Sequence, residues 1–334
     1  MRFPMRFLMP FLRNTQTILG IYWVLVRITI PITVATEVLS RLGVIEAVAP
    51  AFAPVMDLVG LPPELGLAWL TGMLLGIWGA VPLLFTLVPV SSLSVADVTV
   101  FSALILFAHA LPIEQKIIQQ AGPGIIATTT LRLAGGLLYA LMLHQTFEVT
   151  GWLSAPVNPT WIPIGTTPDW TEYFLGLGET MFWMLVILLV LSWGLDLLKV
   201  TRVLDLMMAA LSPVLRLAGI RGEAGHLTAV GLFLGISYGA GLLIREARSG
   251  TIPPRQIFLS CVFMGFGHSA IEDTLLVMAL GANIHGVLTA RFIFAVVATA
   301  IIAVLLRRLS DETFFARLFP LRDARAEGSY TAAE

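Results

Sequence analysis

Apolar positions in this chain run on without alternation. MFWMLVILLVLSWGL (181–195) and FIFAVVATAIIAVLL (292–306) show neither the two-residue period of a half-buried strand nor the polar face of a surface helix. Apolar runs of about 20 residues can cross a bilayer as helices. A transmembrane barrel would alternate apolar and polar residues. The pattern therefore predicts an all-α polytopic membrane protein. The first half holds four apolar stretches, at 16–37, 66–90, 97–119 and 124–146.

Polar residues inside this apolar frame recur at a fixed offset. Adding 159 pairs His109 with His268, Glu114 with Asp273 and Arg132 with Arg291. The same offset pairs Gly60, Gly66, Gly72, Gly76 and Gly122 with Gly219, Gly225, Gly231, Gly235 and Gly281. Apolar matches would carry little weight here, but charged and glycine matches in one register are specific. Such self-similarity marks a duplication. The copies are read as 14–146 and 173–306. An interfacial N-terminal segment (1–13) precedes them, a linker rich in Pro and Trp (147–172) joins them, and a charged tail (307–334) follows.

Lys and Arg placement sets the expected orientation, because cytoplasmic loops carry an excess of both. Residues 42–115 contain neither, while the equivalent 201–274 contain six Arg (202, 216, 221, 245, 248 and 255). One copy then shows this surface to the outside and the other to the cytoplasm, so the repeats are inverted. The basic ends place both termini in the cytoplasm of a bacterial-type inner membrane, and the 147–172 linker outside. Inversion requires an odd number of crossings per copy, so one of four stretches must enter and return on one side. The best candidates are 66–90 and 225–249, each with glycines at mid-stretch. Broken or re-entrant helices survive at membrane depth only where protein or water covers the freed backbone groups.

Composition supports this frame. The chain is 57% hydrophobic and 12% charged, with mean hydropathy +0.89, against about 25% charged in soluble domains. A net charge of −1 and the lack of a basic face give no footing for nucleic acid. The single cysteine, Cys261, excludes an intrachain disulfide framework. No P-loop, HExxH or CxxC is present, and no nucleophile signature accompanies the histidines, so neither an ATPase module nor an enzyme is expected and no cofactor is implied.

Two constellations could carry chemistry. The first is the pair of glycine breaks at 76–82 and 235–241. Half-helix ends around Gly76, Gly235 and Gly239 would offer unpaired amides and carbonyls, with Trp78, Ser237 and Tyr238 adding stacking and hydrogen bonds. Close packing explains small residues, but not the required parity. The second is FAHALPIEQK (107–116) with FGHSAIEDT (266–274). On a continuous helix His268 and Glu272 share a face at i, i+4. Asp273, at i+5, sits where Glu114 sits relative to His109. Ionisable groups at membrane depth are costly and face a cavity, a partner or an ion path; the blander account puts them at interfacial helix ends. His268, Glu272 and Cys261 also present a mixed ligand set for a transition metal. For Arg132 and Arg291, interfacial anchoring is the plainer reading and a buried carboxylate partner the alternative.

The stretch ALSPVLRLAGIRGEAGHLTAVGLFLGISYGAGLLIREARSG, followed by GFGHSAIEDTLLVMALG, resembles the nucleoside-recognition or Gate-domain family. The first-copy counterpart is APVMDLVGLPPELGLAWLTGMLLGIWGAVPLLF. The resemblance extends to the Gate modules of the ferrous-iron transporter B and the spore maturation proteins A and B. It implies a broken-helix membrane architecture over 40–306. The iron transporter's GFGC-like motif has no match, since Gly76-Ile-Trp-Gly and Gly235-Ile-Ser-Tyr lack the Cys. The function expected is a secondary transporter or permease for a small polar solute, with a midplane site between inverted repeats. H+ or Na+ coupling both fit. The alternatives are a transition-metal ion permease and a non-transport membrane scaffold. The expected partners are the solute or ion, the lipid bilayer and, from the frequency of two-fold assemblies, a second copy of the chain.

Overall fold

The computed structural model describes residues 5–159 and 169–320; side chains 5–14, 17, 195, 199, 204, 205, 234, 238 and 242 fall outside the description. Of the segments expected from sequence, residues 1–4, 160–168 and 321–334 lie outside the described residues. The described residues are mostly helical, with no strand among them beyond an isolated bridge between Ser94 and Pro156. The principal helices of the first half are α1 (Met5–Arg41), α2 (Leu65–Leu75), α3 (Ile77–Leu87), α4 (Val95–Phe107), α5 (Leu111–Gln120) and α6 (Ile125–Thr150). The second half has α7 (Trp170–Val200), α8 (Val203–Leu217), α9 (Glu223–Leu234), α10 (Ile236–Arg248), α11 (Pro254–Gly267), α12 (Glu272–Ala279) and α13 (Arg291–Arg307).

Six described segments are long and apolar enough to cross a membrane, three in each copy. Four of them bury only 17–28% of their most apolar stretch, as lipid-facing helices do. Val95–Gln120 and Pro254–Ala279 bury 67% and 72%, so protein rather than lipid surrounds them. These two segments carry His109 and His268.

The stretches 66–90 and 225–249 form helical hairpins. Gly76 (φ 100°, ψ 173°) separates α2 from α3, and Gly235 (φ 84°, ψ 161°) separates α9 from α10. Only glycine adopts this region without strain. A Cβ built on Gly72 would lie 3.0 Å from the Ala80 Cβ, eight residues on, where one continuous helix would hold the two about 12 Å apart. The chain therefore folds back at Gly76. Likewise a Cβ on Gly239 would meet the Val230 side chain at 3.9 Å.

The 159-residue offset reappears in the backbone. Left-handed φ values pair Gly43 with Arg202, Gly60 with Gly219, Ala110 with Ser269 and Gly122 with Gly281. Two of these pairs include residues other than glycine, so the repeat is one of conformation and not only of composition.

The chain divides into two compact units. The first holds residues up to Ala110, Tyr139–Met207 and Glu272–Val287. In it α1 packs on α7 and α3, α2 on α4, and α4 on α12. The Ser94 hydroxyl and the Asp97 carboxylate form a capping box that starts α4. The Thr99 hydroxyl accepts the Asn283 amide at 2.9 Å, and the Tyr139 hydroxyl donates to the Gly286 carbonyl, which ties the segment after α12 in place. The second unit holds Leu111–Leu138, Met208–Ile271 and residues from Leu288 onward. There α11 packs between α9 and α13, and α5 lies on α10. Each unit thus takes most of one copy and helical segments of the other: chiefly α7 and α12 in the first, α5 and the first half of α6 in the second.

Candidate functional site

The breaks inside Val95–Gln120 and Pro254–Ala279 build two clusters, one in each unit. Pro112 has no N–H, and in a continuing helix its ring would strike the Ala108 carbonyl. Helix α4 ends at Phe107, and α5 restarts at Leu111 with Pro112 in its first turn, where the missing donor costs nothing. Between them Ala110 takes φ 47°. The second copy has no proline here, yet α11 stops at Gly267, Ser269 takes φ 52°, and α12 starts at Glu272. Each histidine stands 14 residues after the start of its segment and 11 before its end (109 − 95 and 120 − 109; 268 − 254 and 279 − 268).

Both imidazoles fold back on the helix they terminate. His109 Nδ1 lies 2.9 Å from the Ile105 carbonyl oxygen and His268 Nδ1 2.8 Å from that of Met264. The hairpin turns abut the same breaks. The Ala110 amide donates to the Gly72 carbonyl at 3.0 Å, and the Ala270 amide to that of Leu232 at 2.9 Å. A Cβ on Gly76 would sit 3.7 Å from Ala110, and one on Gly235 the same distance from Ser269. Within each unit, then, the two sequence-predicted constellations meet.

The outward ring nitrogens face carboxylates of the other copy. In the first unit His109 Nε2 lies 3.4 Å from Asp273 Oδ2. In the second, His268 Nε2 lies 3.3 Å from Glu114 Oε2, which also accepts from Arg132 Nη1 at 2.7 Å. All five side chains are buried. Arg291, also buried, donates through Nε to the Phe266 carbonyl at 2.8 Å and through Nη2 to that of His268 at 3.2 Å. It covers carbonyls that the end of α11 would leave unpaired.

Two expectations are corrected by these contacts. The helical face shared by His268 and Glu272 does not form, because the helix breaks between them. Glu272 opens α12 half-buried, and Glu114 of the first copy faces His268. Arg132 and Arg291 are each 2% exposed, so interfacial anchoring does not describe them. A buried charge without a partner is costly, and the Glu114 carboxylate and the α11 carbonyls answer that cost.

Of the glycine-break residues, Gly76, Gly235, Gly239 and Trp78 are buried and Ser237 is exposed; the Tyr238 side chain lies outside the described residues. Cys261 is a buried free thiol on α11. Sequence reasoning missed Gln115 and Thr274, which correspond under the offset and directly follow Glu114 and Asp273. Gln115 Nε2 and Thr274 Oγ1 are buried without a hydrogen-bond partner, as are Ser102 Oγ and Trp69 Nε1. Uncharged residues give no alarm in an apolar stretch; only the shared offset could have flagged the first two.

A helical fold with six segments able to cross a membrane, and with buried His, Arg and carboxylate contacts inside its two most enclosed segments, defines a multi-pass membrane protein. Residues 22–123, which run from within α1 to just past the end of α5, match the Gate family, described as nucleoside recognition. The chain is 25% identical over 289 residues to the uncharacterized membrane protein YvoD of Bacillus subtilis (strain 168), an alignment covering 84% of this chain and 90% of that protein. No solved structure matches the chain.

Proposed function

We propose that the protein is a secondary transporter or permease for a small polar solute, working through a polar site between two inverted copies. The observation that carries this reading is the reciprocal pairing of His109 with Asp273 and His268 with Glu114. Exchanging every residue for its counterpart 159 positions away turns one contact into the other. Copies related by a two-fold operation have that property. The Arg-free surface of one copy and the Arg-rich surface of the other support an axis in the membrane plane. Three long segments and one hairpin per copy supply the odd parity that inversion needs. Broken helices and midplane polar groups are the usual furniture of such transporters. The unpartnered Gln115, Thr274, Ser102 and Trp69 groups offer hydrogen bonds that a polar solute could take up.

The Gate description makes nucleosides the first solutes to try, followed by organic acids and divalent cations. The membrane is a bacterial inner membrane with both termini cytoplasmic. Purified protein in liposomes tests the reading through uptake of labelled solute. Transport requires flux above protein-free vesicles, falling at least tenfold in His109→Ala while the variant keeps its helical circular-dichroism signal. Absence of flux for all three solute classes, with the variant behaving as the parent, would favour a scaffold instead.

A further inference from the structure

Each imidazole is held between two acceptors. A carbonyl oxygen cannot donate, so the short contacts from Nδ1 to Ile105 and Met264 are hydrogen bonds only if Nδ1 carries the hydrogen. In a neutral ring Nε2 is then a bare lone pair. It faces a carboxylate oxygen at 3.4 Å in the His109 pair and 3.3 Å in the His268 pair, and an ionised carboxylate offers only lone pairs. The other neutral tautomer moves the same conflict to the carbonyl. Inside a buried, low-dielectric segment two opposed acceptors are costly. One additional proton removes the conflict, as an imidazolium facing a carboxylate or as an imidazole accepting from a carboxylic acid.

We propose that both pairs are proton-binding sites, each holding one proton between a histidine of one copy and a carboxylate of the other. Binding forms a single N–H or O–H bond with a proton drawn from water, and release breaks that bond and nothing else. Release leaves two lone pairs opposed, so the pair opens. In the first unit this loosens α12 from the end of α4, and in the second it loosens α5 from the end of α11. The surrounding charges differ. Asp273 faces His109, and the adjacent α2–α3 hairpin carries no ionisable side chain. Around His268 stand Glu114 from α5, Arg132 from α6 and the Arg291 guanidinium from α13. Use of these protons to drive solute movement rests on the transport reading; their presence does not.

The test is nitrogen-15 spectroscopy of the full chain, labelled at its five histidines and held in lipid nanodiscs at neutral pH. His109→Gln and His268→Gln assign the resonances, and the exposed His226 and His285 serve as references. Infrared absorption reports any protonated carboxyl. The expected result is that each site shows either two protonated ring nitrogens or a neutral ring with a carboxylic-acid band. Asp273→Asn should remove that signature from His109 and leave His268 unchanged. Glu114→Gln, or Glu114→Gln with Arg132→Met if the single variant does not fold, should do the reverse. Neutral rings at both sites with no carboxylic-acid band would overturn the proposal. The measurement needs no solute. Protonated pairs without flux would sink the transport reading alone, and flux with neutral rings would sink this inference alone.

Discussion

Removing the Glu114 charge probes the buried pairing most sharply. Its Oε2 accepts from Arg132 at 2.7 Å and lies 3.3 Å from His268, and the three residues are at most 3% exposed. Glu114→Gln takes this carboxylate from Arg132 and His268 at once. Breaking a buried pair from one side costs about 3–5 kcal/mol, or roughly two to three and a half decades in the folded-to-unfolded ratio at about 1.4 kcal/mol per decade. Arg132→Met should cost less, because Glu114 keeps His268. The double variant removes both charges and should recover about 1–3 kcal/mol relative to the sum of the singles. Detergent-driven unfolding in mixed micelles, followed by circular dichroism, measures all four proteins. Single costs that add within about 0.5 kcal/mol, or a Glu114→Gln cost below about 1 kcal/mol, would refute the pairing as drawn.

The hairpin turns and the packing behind the ion pair make further demands. Gly76→Ala and Gly235→Ala each force a side chain into a glycine-only conformation and should lose about 1–3 kcal/mol in the same unfolding assay. Ser269→Gly, which frees a left-handed serine, should be neutral or stabilising there. A Cβ on Gly265 would lie 2.9 Å from Arg132 Cγ, so Gly265→Ala should cost about 1–3 kcal/mol by overpacking. If proton release accompanies transport, Asp273→Asn should abolish solute-dependent acidification or alkalinisation of the vesicle lumen, which a trapped pH dye would report.

Much of this was legible in the residues. Charged and glycine matches at one offset pointed to a duplication, which the recurring left-handed φ values support, and glycines at mid-stretch marked the hairpins that Gly76 and Gly235 turn. The partner assignments were not legible. Helical spacing pointed His268 at Glu272, because sequence alone treats the span as one helix. The break after Gly267 lacks a proline, and it rests on a serine in a left-handed conformation that no propensity favours. Arg132 looked like an anchor for a similar reason: its position at the start of an apolar run is that of an interfacial residue, and the carboxylate that holds it lies 18 residues earlier on α5, beyond local patterning.

The central claim is that the copies lie upside down relative to each other, and side-specific labelling tests it directly. Asp57 and Arg216 are counterparts under the offset, and both are exposed. In a Cys261→Ala background, Asp57→Cys and Arg216→Cys can each be challenged with a membrane-impermeant maleimide on intact spheroplasts. The account predicts that the cysteine at 57 reacts at once and that the one at 216 reacts only after the membrane is opened. Reaction of both from the same side would contradict it.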